Sequence, residues 1–443
     1  MKEEKGILLI ATLDTKGTEA FYLRDKIAEL GKKPVVLDIS LREEGETGAE
    51  ISPEEVAEAG GSSLKEIHES GDRASITATM TGGAIQIAKK LVEAGKIRGV
   101  IGIGGSTGSL MATDVMRALP FGIPKLMISS TAALPGMSTR YIDTGDILLM
   151  HSVIEIAGLN DLLRNVIDRA AYAISGMVEV APIRKEEKRG KLIATTMLGP
   201  CEKCASSVRL GLEQRGFQVV GFSAAGIGDR AMEDMAAQGL FDGVVDLAPG
   251  GVMDHIIGGT RDAGPHRLES AGRRGIPQVI STCGVNHITP RKTDYTEEHK
   301  RRRKYDLDRY RTWLRASPEE LVRAAQVFAE KLNQAKGPAK VVIPLEGWSS
   351  ADRRGNETYD PQEDMIFVNE LTSKLKPDIE VRTVAANMED PSFSKAILEA
   401  CEEALSTCIN EPLYAETAVA LLERERMVEG GDAPRKSGPC SAS

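Results

Sequence analysis

The chain has 443 residues, with 56 Lys and Arg against 65 Asp and Glu, for a formal net charge of −9. At roughly 150 residues per domain this length predicts two or three domains, and 41% hydrophobic with 27% charged residues is typical of a folded chain rather than a disordered one. The acidic balance argues against a surface that neutralises nucleic-acid phosphates or anionic lipid. Only 4% of residues are aromatic, and the 44 glycines exceed a usual share of about 7%. We therefore expect aliphatic cores and several tight turns.

The cysteines and the apolar runs predict a cytoplasmic location. Six cysteines are scattered at positions 201, 204, 283, 401, 408 and 440, which is not a disulfide framework and favours a reduced compartment. The apolar run Ile7–Ile10 is too short for a signal peptide. Nowhere does an apolar stretch approach the roughly 18 residues that span a bilayer.

The first half of the chain alternates between strand and helix patterns. Continuous apolar runs of the kind found in strands buried on both faces occur at 6–12, 34–39, 99–103 and 124–128. Amphipathic or Gly-terminated helix patterns follow at 19–30, 84–94 and 110–118. This alternation predicts an α/β fold with a mostly parallel sheet covered on both sides. A further apolar stretch, 143–160, has the spacing of a buried helix at a domain or subunit interface.

The second half repeats pieces of the first. The matching pairs are Lys191–Thr196 with Leu9–Thr12, Gly243–Leu247 with Gly99–Ile103, and Gly275–Ile280 with Gly122–Met127. A duplicated α/β unit explains these pairs most simply. We predict a first domain over 1–183, a charged linker over 184–190, a second domain over 191–430 and a flexible tail over 431–443.

Three polar or Gly-rich loops follow strands of the first half. They comprise Asp14, Thr15, Lys16 and Gly17; Gly104, Gly105, Ser106, Thr107 and Gly108; and Ser129, Ser130 and Thr131. Ligands of open parallel sheets bind beyond the carboxyl ends of the strands. A lysine neutralises phosphate charge, and a Gly-rich turn before a helix offers amide donors. Neither the Walker A nor the dinucleotide Gly-x-Gly-x-x-Gly spacing is complete. Each loop alone is equally compatible with packing, but together they predict a phosphate-bearing ligand.

The second half has weaker candidates. Asp229, Arg230 and His255 are suited to binding a carboxylate or phosphate, and equally to capping helices or forming an ion pair. Cys201 and Cys204 have the spacing of a redox pair or half a zinc site, but no second ligand pair follows. Cys283 ends a predicted strand and is a candidate thiol nucleophile, although packing is the commoner role of such cysteines. The basic run His299–Lys304 is either a solvated loop or a lid over an anionic ligand.

Several longer motifs are familiar. In the first half they are Ala11–Glu19, Ile101–Gly108 and Asp146–Asn160. In the second half they are Thr195–Gly199, Gly228–Glu233, Ala263–Ala271 and Gly275–Val279. Together they resemble a family that contains the N-terminal nucleotide-binding region of the tomato mosaic virus resistance protein and otherwise largely uncharacterised bacterial and fungal proteins.

This resemblance implies two Rossmann-like domains, ATP with Mg²⁺ bound in the first of them, and dimerisation. By match to the family loops, the phosphates would contact Asp14–Gly17 and Gly104–Gly108. The nucleotide would also be bordered by Asp72, Arg73 and a turn formed by Met80, Thr81, Gly82 and Gly83.

Three functions remain open from the sequence. The first is an ATP-binding homodimer in which the nucleotide supports action on a second ligand. The second is an ATP-dependent ligase or kinase, or a hydrolase, that acts on a small carboxylate or acyl substrate in an interdomain cleft, with Asp229, Arg230, His255 and Cys283 as candidate catalytic residues. The third is an interaction module whose dimer is stabilised by nucleotide.

Overall fold

The computed structural model describes residues 6–41, 48–69, 72–180 and 190–406. They form two compact units that divide between positions 187 and 188. The predicted tail, 431–443, lies outside the described residues, as does the predicted linker 184–190 except for Gly190. In the described ranges, no helix is both long and apolar enough to cross a membrane.

Unit 1 contains one parallel sheet. Its strands are β1 (Gly6–Ala11), β2 (Lys33–Asp38), β3 (Gly99–Gly104), β4 (Lys125–Ser129) and β5 (Ile147–His151). Its helices are α1 (Leu13–Glu29), α2 (Pro53–Ala59), α3 (Leu64–Glu69), α4 (Arg73–Glu93), α5 (Ser106–Arg117), α6 (Met137–Ile142) and α7 (Asp161–Met177). The strand order is β2-β1-β3-β4-β5, and all pairs are parallel. All carboxyl ends of the strands therefore lie at one edge of the sheet.

The sequence of β1 explains why this sheet is buried on both faces. All six of its residues are buried. Ile7 and Leu9 pack into one core with residues of α1 and α7, and Leu8 and Ile10 pack into another with residues of α2, α4 and α5. A continuous apolar run results because both faces of a parallel strand are covered by helices.

Unit 2 contains a larger parallel sheet and a small antiparallel one. Its strands are β6 (Leu192–Met197), β7 (Gln218–Ser223), β8 (Gly243–Asp246), β9 (Gln278–Ile280), β10 (His287–Ile288), β11 (Lys304–Asp306), β12 (Thr312–Arg315), β13 (Ala339–Pro344) and β14 (Glu380–Val384). Its helices are α8 (Glu202–Gln214), α9 (Ile227–Ala237), α10 (Gly251–Ile257), α11 (Ser270–Arg274), α12 (Glu297–Arg301), α13 (Pro318–Leu332), α14 (Pro361–Lys374) and α15 (Pro391–Leu405).

The larger sheet has the order β14-β13-β9-β8-β6-β7, and the small sheet has the order β10-β12-β11. The order β7-β6-β8-β9 in unit 2 is the same as β2-β1-β3-β4 in unit 1. This shared order fits the repeated sequence pieces. The predicted α/β class, with two mostly parallel sheets in Rossmann-like units, is confirmed.

Three local predictions were wrong. Asp14–Gly17 is not a loop but lies in the first part of α1, which begins at Leu13 rather than near residue 19. The stretch 143–160 is not a helix, since it contains the edge strand β5 followed by a loop. Met80–Gly83 is not a turn but lies inside α4. A glycine pair disfavours a helix on propensity alone, but packing decides here. A Cβ on Gly83 would lie 1.8 Å from the carbonyl oxygen of Val56 in α2. Glycine at this position therefore lets the two helices approach closely.

These adjacent glycines give a matched test of the helix contact. We expect Gly83→Ala to lower the free energy of unfolding by about 2 to 3 kcal/mol, because the new methyl group overlaps backbone. We expect Gly82→Ala to raise it by about 0.5 to 1 kcal/mol, because a Cβ there meets no atom within 4 Å and alanine favours helix. Urea unfolding of both variants measures whether each substitution lowers or raises the free energy of unfolding. A stable Gly83→Ala variant would contradict the close contact.

Candidate functional site

Unit 1 has a cavity of about 490 Å³ at the edge of the sheet where the strands end. It is lined by Thr12, Asp14, Thr15, Lys16, Leu41, Arg73, Ile76, Gly105, Ser106, Thr107 and Gly108. Two of the three predicted loops meet here, and the residue that begins α4 joins them. The size is within the range of small-molecule sites, about 300 to 1,000 Å³.

The first turn of α5 contributes free amide groups. Gly105 is the N-cap of this helix, and no side chain caps it. The amides of Ser106, Thr107 and Gly108 have no hydrogen-bond acceptor among the described residues, whereas the next amide, that of Ser109, bonds to the carbonyl of Gly105. The first amides of a helix have no partner within it, and they carry the positive end of its dipole. This helix end is therefore suited to binding an anion.

The first turn of α1 differs, because its amides already have acceptors. The amide of Leu13 donates to the carboxylate of Asp38 at 3.1 Å, and that of Asp14 donates to the hydroxyl of Ser40 at 3.0 Å. The amides of Thr15 and Lys16 donate to the carbonyl of Thr12. Burial raises the pKa of Asp38, an effect opposed by its hydrogen bond from Ser40. This turn of α1 thus offers the cavity the side chains of Asp14, Thr15 and Lys16 rather than amides.

Two cationic side chains at the cavity have no ion-pair partner within the described part of the chain. Lys16 lies at a kink in α1, with non-helical φ and ψ of −131° and 17°, and Arg73 is the first residue of α4. Neither side chain forms a hydrogen bond or salt bridge with any residue that the structure describes. Asp14 is the one carboxylate among the lining residues. The lining charge is therefore positive, which adds to the field of the α5 terminus.

Other predicted residues of unit 1 do not line the cavity. They are Gly17, Asp72, Met80, Thr81, Gly82, Gly83, Gly104, Ser129, Ser130 and Thr131. Asp72 caps α4 by accepting from the amides of Ala74 and Ser75. Ser129 is buried and bonds to Ser109 at 2.7 Å.

Three lining residues were not predicted from sequence, namely Thr12, Leu41 and Ile76. Thr12 ends the first apolar run, and its hydroxyl is 3.0 Å from that of Thr15; a polar residue directly after a buried strand was the available signal. Leu41 and Ile76 carry no chemical signal, because an apolar residue on a loop or helix is usually part of the core.

The candidate catalytic residues of unit 2 each have structural partners. Asp229 is fully buried, with an oxygen 3.5 Å from Nε of Arg267, and burial raises its pKa to about 6. His255 is half-exposed, and its Nδ1 lies 2.8 Å from Asp262. Arg230 packs beside Gly264, because a Cβ placed on Gly264 would lie 3.4 Å from Cδ of Arg230.

The three candidate cysteines that the structure describes lie in environments that disfavour a reactive thiol. Cys201, Cys204 and Cys283 are all buried. A hydrogen bond with Cys201, together with burial, raises the pKa of Cys283, and burial raises that of Cys204. A raised pKa disfavours the thiolate needed for nucleophilic or redox chemistry. Across the described ranges, no group of three or more His, Cys, Asp or Glu residues is placed to hold a metal ion.

Comparison with known proteins covers both units. Residues 5–182 match the N-terminal domain of the uncharacterised protein family UPF0261, and residues 190–405 match its C-terminal domain. A UPF0261 protein of Clostridium tetani is 36% identical over 397 residues, which are 89% of this chain and 97% of that protein.

A tomato protein is also similar. The ToMV resistance protein Tm-1 of Solanum lycopersicum is 30% identical over 338 residues, covering 73% of this chain and 44% of that protein. Among solved structures, a putative UDP-N-acetylglucosamine 2-epimerase from Listeria monocytogenes aligns with 62% of this chain and 79% of its own at 11% identity and a TM-score of 0.19, a likeness too weak to support an argument. The matches to both family domains and to these relatives show that the chain belongs to the UPF0261 family, as its motifs indicated.

Proposed function

We propose that unit 1 binds ATP, with the phosphates at the N-terminus of α5. The observation that carries this proposal is the set of three amides, those of Ser106, Thr107 and Gly108, at a cavity that also contains Lys16 and Arg73; among the described residues, neither these amides nor the two cations have a hydrogen-bond or ion-pair partner. Oriented amides and basic side chains are the recurrent elements of phosphate sites. The resemblance to the nucleotide-binding region of the tomato relative supports the same ligand.

The distribution of the lining residues fits the two ends of a nucleotide. Lys16 and the α5 amides provide positive charge for a polyphosphate. Leu41 and Ile76 provide an apolar surface, which we assign to the base or the ribose carbons. Arg73 lies at the start of α4 and provides a second cation for the phosphates.

The residues present also fit Mg²⁺ as an ion bound largely by the phosphates. Protein sites typically hold Mg²⁺ through one or two carboxylates, with water and substrate phosphates completing its six ligands. Asp14 supplies the carboxylate, and Thr15, Ser106 and Thr107 supply hydroxyls. Bound Mg²⁺ would neutralise phosphate charge.

Replacing the lysine tests the proposal. We expect Lys16→Ala to weaken Mg-ATP binding by about tenfold or more, because a charge-assisted bond to phosphate contributes about 1.5 to 3 kcal/mol. Isothermal titration calorimetry measures the affinity. The unfolding free energy should change little, because Lys16 forms no ion pair with described residues.

Lys89→Ala is the matched control. Lys89 is exposed on α4, more than four turns after Arg73, and does not line the cavity. Its replacement removes the same charge from unit 1 and should leave the affinity unchanged. Equal affinities of wild type and Lys16→Ala would remove the lysine from the site, and absence of Mg-ATP binding to wild type would contradict the proposed function.

A further inference from the structure

Unit 2 has its own cavity, of about 450 Å³. Leu198, Gly199 and Pro200 follow β6, and Ala225 follows β7, so one wall lies at the carboxyl edge of the larger sheet. The remaining lining residues are Thr260, Arg261, Thr289, Pro290, Arg291, Lys292, Tyr295, Leu307, Tyr310, Arg311, Thr312 and Trp313. Of these, Thr312 and Trp313 belong to β12 of the small sheet, and Thr289, Pro290 and Leu307 directly follow its other strands.

The lining is basic and contains no acidic residue. Two of its four cations are neutralised, because Arg261 pairs with Asp254 at 3.0 Å and Arg311 pairs with Asp308 at 2.7 Å. Arg291 and Lys292 form no ion pair with any described residue. The ammonium group of Lys292 makes one long hydrogen bond, of 3.4 Å, to the carbonyl of Arg309. Neither charge is neutralised by an ion pair with a described residue, although Lys292 is close enough to Asp306 and Asp308 to help lower the pKa of each carboxyl.

Arg261 is buried and held in one orientation. Its Nε donates to Asp254 at 3.0 Å, its Nη2 donates to the carbonyls of Gly284 and His287 at 3.2 and 2.9 Å, and its guanidinium lies 4.7 Å from the ring centroid of Trp313. Its Nη1 has no hydrogen-bond partner among the described residues. These fixed contacts keep the Trp313 ring in place at the cavity wall.

Tyr295 adds an unpaired polar atom. Its hydroxyl oxygen is buried and has no hydrogen-bond partner among the described residues. A buried hydroxyl without a partner is costly, and a bound oxyanion would accept its hydrogen bond. Tyr310 and Trp313 belong to the same lining, so the cavity combines aromatic side chains with its cations.

The basic run His299–Lys304 is a separate feature. No residue of the run lines the cavity. Arg302 pairs with Glu320 and Glu298, and Arg303 pairs with Asp360 and Glu363. These two arginines therefore hold the segment in place, and the segments on either side of the run supply the cavity wall.

We propose that this cavity binds a small oxyanion, a phosphate monoester or a carboxylate, that carries a flat apolar body. The anionic group would be bound by Arg291, Lys292 and the hydroxyl of Tyr295. The flat body would lie against the exposed ring of Tyr310, since aromatic faces favour planar groups. Trp313 is only 3% exposed, with Arg261 and His287 packed against its ring, and borders the flat body without stacking on it. This site is distinct from the proposed ATP site, because its lining residues all belong to unit 2.

Calorimetric titration of the full chain with phenyl phosphate and with benzoate tests the proposal. We expect at least one of them to bind saturably at one site per chain, and the tighter ligand identifies a phosphate or a carboxylate site. Inorganic phosphate lacks the flat body and phenol lacks the charge, so we expect each to bind about tenfold or more weakly than the tighter ligand.

Three variants locate that binding. Tyr295→Phe removes only the hydroxyl and Arg291→Gln removes an exposed charge, so neither should disturb the fold; we expect each to weaken binding of the tighter ligand by about five- to tenfold. Arg301→Gln removes an exposed charge outside the cavity and should bind as wild type does. No saturable binding, or wild-type affinity in both cavity variants, would overturn the proposal.

Lys16→Ala separates this proposal from that for ATP. It should leave phenyl phosphate and benzoate binding unchanged, even if Mg-ATP proves not to bind. Loss of their binding in Lys16→Ala would assign them to unit 1 and contradict a site in unit 2.

Discussion

Gly105→Asp is expected to weaken Mg-ATP binding severely while slightly stabilising the fold. Gly105 has φ −81° and ψ −158° as the N-cap of α5, and a Cβ there meets no atom within 4 Å. The new carboxylate would accept from the amides of Thr107 and Gly108, the usual geometry of an aspartate N-cap. It would place a negative charge where we assign the phosphates.

The expected loss of affinity is about 100-fold or more, because two charge-assisted hydrogen bonds are lost and repulsion is added. The free energy of unfolding should rise by about 0.5 kcal/mol. Calorimetric titration and urea unfolding measure the two effects. Gly105→Asn caps the same amides without charge and should lose about tenfold in affinity. Undiminished binding by a folded Gly105→Asp variant would show that the phosphates lie elsewhere.

Arg267→Met is expected to have the largest effect on stability. Arg267 is buried among three carboxylates, with Nη1 2.6 Å from Asp246 and 3.0 Å from Glu233, and Nε 3.5 Å from Asp229. Methionine fills a similar volume but leaves these buried charges uncompensated. Loss of one partner of a buried ionic network costs about 3 to 5 kcal/mol. Arg273→Met, which breaks a more exposed pair with Glu269, should cost less than about 1 kcal/mol.

The loss caused by Arg267→Met should depend on pH. Burial raises the folded-state pKa of Asp229 to about 6, and the charge of Arg267 opposes that rise. In the unfolded chain the pKa is about 3.9. The folded state therefore binds more protons between about pH 4 and pH 6, so Asp229 makes stability fall as pH rises through that window.

Without Arg267 the pKa of Asp229 rises further, and its protonated form is retained to higher pH. The difference in unfolding free energy between wild type and Arg267→Met should therefore be smaller at pH 5 than at pH 8, as measured by urea unfolding. Asp229→Asn should flatten the wild-type pH profile over the same window. An equal loss at both pH values would contradict a raised pKa.

The parts of the fold that were predictable share one physical property. Strands β1, β3 and β4 are covered on both faces, so they appear as continuous apolar runs that end at polar loops. The Gly104–Gly108 loop was identified for this reason, and four of its five residues line the cavity of unit 1. Strand β5 lies at the sheet edge, and its short apolar run fits a helix pattern as well as a strand.

The rest of the two cavities depends on contacts between residues distant in sequence. Arg73 was proposed only by resemblance, because its place at the cavity follows from the packing of α4. Similarly, no local sequence pattern indicates that the guanidinium of Arg261 lies over the ring of Trp313. Nor does one indicate that Arg267 neutralises the charge of Asp229. The spacing of apolar residues in the sequence indicates which face of a helix or strand is buried. It does not indicate which side chains from distant elements come into contact.

A crystal structure of the chain with Mg²⁺ and a non-hydrolysable ATP analogue tests the central claim most directly. We predict phosphate oxygens within hydrogen-bond distance of the amides of Ser106, Thr107 and Gly108, and of the ammonium group of Lys16. Phosphates bound elsewhere, with these three amides in contact only with protein or solvent, would contradict it.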